Sequence, residues 1–161
     1  MPRKSAGILL YRLKNHQPEF FLVHPGGPLH AKKDLGAWSI PKGEFTDGEE
    51  PLAAARREFE EETGKRIEGR FQELTPVKQK SGKLVYAWAL EGDFDEKGLV
   101  CNLFTMEWPP RSGQYNSFPE VDRGEWFAAE PAKQKMISAQ AALIDELIHL
   151  LGENKKDQSA L

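Results

Sequence analysis

The chain has a single cysteine, Cys101. No disulfide can form within it, and this usage suits a reducing compartment. Cys101 lies in an apolar stretch and reads as a core residue rather than a nucleophile. Long apolar runs are also missing. None approaches the length needed to span a membrane. The opening MPRKSAGILLYR is basic, but its apolar run is too short for a signal peptide. The expectation is a cytoplasmic protein with no membrane partner. A basic surplus is absent too: 22 Lys and Arg stand against 25 Asp and Glu, a formal net charge of −3. General binders of duplex nucleic acid need cations to neutralise phosphates, so that class is excluded. With this balance, a protein that handles polyphosphates needs a metal ion or a local basic patch.

The 161 residues suffice for one domain with a real core. No internal repeat or interdomain linker is visible. Residues 1–152 read as the domain and 153–161 as a polar tail expected to be disordered.

What is present centres on Gly43 to Lys65, GEFTDGEEPLAAARREFEEETGK. Pro51 suits a first helical position, with Thr46–Glu49 or Asp47–Glu50 available as a capping box. Gly64 is a natural stop. On the intervening helix Glu58, Glu61 and Glu62 stand at i, i+3 and i+4 and share a face, while Leu52, Ala55 and Phe59 form an adjacent apolar one. The acidic face is electrostatically poor. Glu58 and Glu62 repel at i, i+4, and all three sit near the helix C-terminus, where the macrodipole disfavours anions. Arg57 reaches Glu61 but cannot neutralise three carboxylates. A hard divalent cation can. Oxygen ligands without nearby His or Cys point to Mg²⁺, with Mn²⁺ also suitable, rather than zinc. The bland alternative is a solvated Glu-rich helix.

The spacing decides between them. The pattern G-x5-E-x7-R-E-U-x-E-E-x-G-U, with U a bulky apolar residue, is matched by Gly43, Glu49, Arg57, Glu58, Phe59, Glu61, Glu62 and Gly64. Only the last position departs: Lys65 replaces the apolar residue, with Ile67 close by to pack instead. On these residues the chain resembles the Nudix hydrolases, most specifically over 41–64. The Pro41–Lys42–Gly43 trio is similar to the diadenosine polyphosphate hydrolase branch.

The resemblance implies an α/β/α sandwich: a central mixed sheet with the signature as loop–helix–loop. It implies metal-dependent hydrolysis of a nucleoside diphosphate linked to another group. Glu58 and Glu62 would be the principal metal ligands. Glu61 would ligate or act as base, and backbone carbonyl oxygen near Lys42–Gly43 would join them. Arg57 would orient a signature glutamate, through Glu49. Lys42 supplies a point charge for a phosphate outside the metal clamp. Dinucleoside polyphosphates such as diadenosine tetraphosphate are the expected substrates. Oxidised nucleotides, capped RNA and nucleoside diphosphate sugars are the alternatives, and a nucleotide-sensing module is the non-enzyme one. The partner is thus a small-molecule nucleotide, bound by a monomer or a homodimer.

Base recognition needs an aromatic or guanidinium plane, and Trp108, Arg111, Tyr115 and Phe118 lie in or beside a stretch read as one long loop, WPPRSGQYNSFPEVD. Trp38 and Tyr86 read as core. His24 and Lys32 are candidates for touching phosphate, and Glu107 and Glu120 for a further ligand or base.

Elsewhere the pattern predicts strands over 4–12, 19–24, 71–80 with a break at Pro76, 83–91, 99–107 and 123–127, and a short extended piece over 37–41. One helical turn is expected over 130–135 and an amphipathic helix over 137–151, ended by Gly152.

Overall fold

The computed structural model describes residues 3–159. The chain opens with β1 (Lys4–Lys14) and β2 (Gln17–Pro25). They pair antiparallel across a two-residue turn, Asn15–His16, in which both residues have positive φ, 54° and 68°. Such a turn matches the twist of the strands it joins. Both strands therefore run further than their apolar cores suggested.

Next come β3 (Lys42–Glu44), α1 (Pro51–Thr63), and three strands: β4 (Gln72–Glu73), β5 (Val77–Lys78) and β6 (Leu84–Glu91). β4 and β5 both pair with β6, separated at Pro76, which cannot donate to a ladder. β7 (Leu103–Glu107) and β8 (Tyr115–Pro119) form a separate two-stranded ribbon. β9 (Val121–Ala128), α2 (Ala129–Lys135) and α3 (Ala141–Ser159) complete the chain.

Among the described residues the main sheet has the order β4-β6-β1-β2-β9, with β3 on β1 and β5 on β6. β1 and β6 are parallel and the other pairs antiparallel, so the sheet is mixed. The two-residue period of the strands sorts the core into two layers. Ile8, Leu10, Phe21, Val23, Trp88 and Leu90 face Ala54, Ala55 and Phe59 of α1. Leu9, Phe20, Leu22, Ala87 and Ala89 face Ala132 of α2 and Leu143, Ile144 and Leu147 of α3. Helices thus cover both faces, the expected α/β/α sandwich. Trp38 is fully buried, as expected; Tyr86 and Cys101 are half-buried.

Three expectations need correction. The stretch read as a long loop is largely ribbon: Tyr115–Pro119 pairs residue for residue with Leu103–Glu107, leaving only the turn 108–114 irregular. β8 is nearly all exposed, so no buried alternation marked it. Neither proposed capping box forms. The cap is Glu50, whose carboxylate accepts from the Leu52 and Ala53 amides at 3.3 and 2.9 Å. Gly152 does not end the last helix; α3 passes through it, so the expected tail enters the structure as helix up to Ser159. The last two positions of that tail lie outside the described residues. Among the described residues no helix is long and apolar enough to cross a membrane.

Candidate active site

α1 ends where the glycine was expected to end it. Gly64 adopts the left-handed conformation, φ 75°, and its amide bonds the Glu60 carbonyl. The carbonyls that the helix leaves free are taken by the following chain. Val100 N–H donates to Thr63 O at 3.0 Å, and Asn102 N–H to Glu61 O at 3.1 Å. The relay continues: Glu120 N–H donates to Asn102 O, and Gly26 N–H to Glu120 O. These backbone bonds carry Glu120 to the acidic end of α1 and tie it to the loop after β2.

The other side of the site is β3. Lys42 N–H donates to Glu62 Oε2 at 3.2 Å. Gly43 lies so close to Glu58 that a Cβ added there would sit 2.0 Å from the carboxylate carbon. Only glycine lets the backbone meet the acid this closely. Gly43, Glu58 and Glu62 thus form one cradle from two elements, with Gly43 and Glu58 15 residues apart in sequence.

Arg57 sits among the remaining acids. Its Nη1 donates to Glu58 Oε1 at 3.0 Å and to Glu61 Oε1 at 3.2 Å, and its Nη2 to Glu49 Oε2 at 3.0 Å. The guanidinium thus bridges Glu49, Glu58 and Glu61. Among the described residues no three His, Cys, Asp or Glu side chains converge in metal-holding geometry.

Burial is the largest influence on the acids of the cradle. Burial pushes the Glu62 carboxyl up to about 8, the Lys42 amide and ammonium opposing and Glu58 and Glu120 adding to it. Burial, then Glu61, raises Glu58, with Arg57 opposing; burial, then Glu61, raises Glu120. Burial and Lys83 lower the Lys42 ammonium, against the pull of Glu62, Glu44 and Glu58. One lysine and one arginine leave these carboxylates under-neutralised. The donor set, all hard oxygens, fits a divalent cation of the magnesium kind.

A cavity of about 460 Å³ opens beside the cradle. Lys42, Glu62 and Glu120 line it on the acidic side, and His30, Lys33, Asp34 and Leu35 come from the loop after β2. Sequence reasoning did not single out His30, Lys33 or Leu35. The pair Lys32–Lys33 was visible, but only the fold shows that Lys33, not Lys32, lines the cavity. His24 does not reach it: the ring is fully buried and bonded to Asp122 and the Lys33 carbonyl. Its polar atoms are spoken for within the fold, which corrects the expectation of a phosphate contact.

Trp108, Arg111, Tyr115 and Phe118 belong to the ribbon, and none lines this cavity. The tip closes on itself: Trp108 N–H donates to Gln114 O at 2.9 Å, and Arg111 N–H to Glu107 Oε1 at 2.6 Å. Phe104 and Phe118 meet at a tilt, their ring centres 6.0 Å apart. Tyr115 is 68 % exposed. Glu107 is therefore engaged within the ribbon, whereas Glu120 stands beside Glu62.

Comparison with known proteins agrees with this geometry. The NUDIX domain family model matches residues 1–147. The asymmetrical bis(5'-nucleosyl)-tetraphosphatase of Rattus norvegicus is 32% identical over 108 residues, 59% of this chain and 69% of that protein. The fold is similar to that of the C. elegans Ap4A hydrolase in a binary complex, with TM-score 0.66, 23% identity and coverage of 94% of this chain and 98% of that one. It is also similar to the NUDIX domain of Shewanella oneidensis NrtR complexed with ADP ribose, with TM-score 0.64, 14% identity and coverage of 94% and 89%. Nudix hydrolases generally use divalent metal ions. The chain belongs to the NUDIX family and is a pyrophosphohydrolase.

Proposed function

We propose that the protein is a Mg²⁺-dependent cytoplasmic hydrolase of dinucleoside polyphosphates such as diadenosine tetraphosphate. One observation carries the reading furthest. The Gly43–Glu58–Glu62 cradle opens onto a cavity that also presents Lys42, Lys33 and His30. Cation-clamping acids and the phosphate-seeking groups Lys42 and Lys33 therefore share one space. A substrate with more phosphates than a single cation neutralises is suited to such a wall. The rat tetraphosphatase supports the same substrate class.

Glu58 and Glu62 would hold the cation, with Glu61 or Glu120 and the Gly43 backbone completing the oxygen set. When bound, the cation would screen the diphosphate charge and lower the pKa of a coordinated water. The chain's own contribution is placement. Glu62 is oriented by the Lys42 amide, Glu58 is seated against Gly43, and Arg57 links Glu49, Glu58 and Glu61. Lys42 would take a phosphate beyond the clamp, and Arg57 acts on the acids rather than on substrate.

The test is a product-release assay with Mg²⁺ on diadenosine tetraphosphate, an oxidised deoxynucleoside triphosphate, capped RNA and a nucleoside diphosphate sugar. Diadenosine tetraphosphate should give the highest kcat/KM, and Glu62→Gln should lower it by about 10³-fold in a folded protein. A preference for any other member of the panel would replace the substrate assignment. Near-normal turnover by folded Glu62→Gln would remove the mechanism.

A further inference from the structure

We infer that His24 is a positioning residue: held as the imidazolium between Asp122 and the Lys33 carbonyl, it fixes the loop that walls the cavity beside Glu62. Nδ1 lies 2.9 and 3.1 Å from the two Asp122 carboxylate oxygens, and Nε2 lies 2.6 Å from Lys33 O. A carboxylate and a carbonyl only accept. A neutral imidazole has one N–H, so one ring nitrogen would turn its lone pair on an oxygen in a site with no solvent access. Turning the ring over would set carbons against the same oxygens. The doubly protonated ring satisfies every contact, and Asp122, partly open to solvent, balances its charge.

The surrounding charges are few. Trp38 meets the ring edge-on at 5.1 Å, donates to Asp34 Oδ1 at 2.9 Å and lies under Arg123 at 5.1 Å. Lys135 also pairs with Asp34. Lys33 is the further cation on the loop itself, and burial, then Lys33, lowers the pKa of His30 beside it. Asp122 is the acid bonded to the ring; Asp34 is one indole away.

The clamp acts on the cavity through backbone. Its carbonyl belongs to a residue whose amide bonds His30 O at 3.0 Å, and His30 N–H bonds Gly27 O at 3.3 Å. Further along, Ala37 N–H bonds Asp34 O and Gly36 N–H bonds Gln134 O. His24 is thus a side-chain tie to the backbone at the middle of a segment whose His30, Lys33 and Leu35 face the cavity, beside the ties that Trp38 and Lys135 make to the Asp34 side chain. Fixing Lys33 O fixes where those side chains begin. Leu35 is 72 % exposed, so little packing of its own holds it there.

The experiment has three arms on the full chain. Nitrogen-15 NMR of the wild-type histidines should show both His24 nitrogens protonated, as the two acceptors facing them require. In Asp122→Asn the neutral amide no longer balances the ring, and amide hydrogen exchange at His30 and Lys33 should quicken about tenfold while α1 and β6 are unchanged. The third arm rests on the hydrolase reading: with Mg²⁺ and diadenosine tetraphosphate, KM should rise about tenfold in Asp122→Asn and in His24→Gln, with kcat within about twofold. A singly protonated His24, unchanged exchange, or an unchanged KM in a folded variant would each overturn the inference. If the wild type cleaves no nucleotide, the function proposed above fails, while the NMR and exchange arms still decide the role of His24.

Discussion

The backbone N–H of Lys42 donates to the carboxylate of Glu62 at 3.2 Å, joining a three-residue strand to the last turn of α1. The bond crosses from a strand to a helix and gives a half-buried acid a fixed direction. It also opposes the effect of burial, which still holds the Glu62 carboxyl at about 8.

That shift has a sign that stability measurements can read. Glu62 binds its proton more tightly folded than unfolded. Its contribution is therefore fully present below about pH 4.5 and is lost as pH rises through about 8. The metal-free protein should lose thermal stability across that window. Mg²⁺ should restore it, because the cation favours the ionised cluster. Glu62→Gln should flatten both effects. Thermal melts with chelator and with Mg²⁺ at several pH values check this.

Gly43→Ala tests the cradle. The new Cβ would fall 2.0 Å from the Glu58 carboxylate carbon, so the acid must move away. The backbone at Gly43 is not left-handed, and β3 should persist. Activity should fall by about 10²-fold, as expected for a catalytic group displaced by an ångström or more. Steady-state kinetics beside a thermal melt would separate this from unfolding.

Lys42→Met keeps the length of the side chain and removes its charge. The Lys42 amide still holds Glu62, so the cradle is intact. KM for diadenosine tetraphosphate should rise by about tenfold, more than for a nucleoside triphosphate with fewer phosphates to place. Parallel KM measurements on the two substrates decide it; equal effects would deny Lys42 any role beyond the clamp.

Gly64→Ala tests the helix stop. The position needs φ 75°, and a Cβ would meet Val100 O at 2.8 Å. The cost should be about 1–2 kcal/mol from the left-handed conformation alone. Because Val100 and Asn102 bond the end of α1, the change should also loosen the strap that leads to Glu120. Urea denaturation measures the first effect, and hydrogen exchange at Asn102 and Glu120 the second.

How far these features were legible depended on how local their causes are. α1 was visible because Pro51, the apolar face and Gly64 all act within a few residues of one another. β1, β2 and β6 were visible because burial on both faces demands near-continuous apolar side chains. β8 was not: Tyr115–Pro119 is a strand because β7 pairs with it, and an exposed ribbon imposes no pattern on its side chains. Gly152 misled because a glycine ends a helix only when its conformation is left-handed, and here the helix simply continues. Glu120 could not be told from Glu107 by spacing; a backbone relay through Asn102 separates them.

By itself the sequence determined that three glutamates share one helix face, that a glycine and a lysine precede them, and that the helix buries its other side. Those facts follow from the 3.6-residue turn and from residue size, which no distant contact alters. Only the tertiary structure decided that His30, Lys33 and Leu35 line the same cavity as Glu62, and that His24 is buried behind them. The loop that carries them has no periodicity of its own. Its course is set by bonds to β9 and to α2, residues more than 85 positions further along the chain.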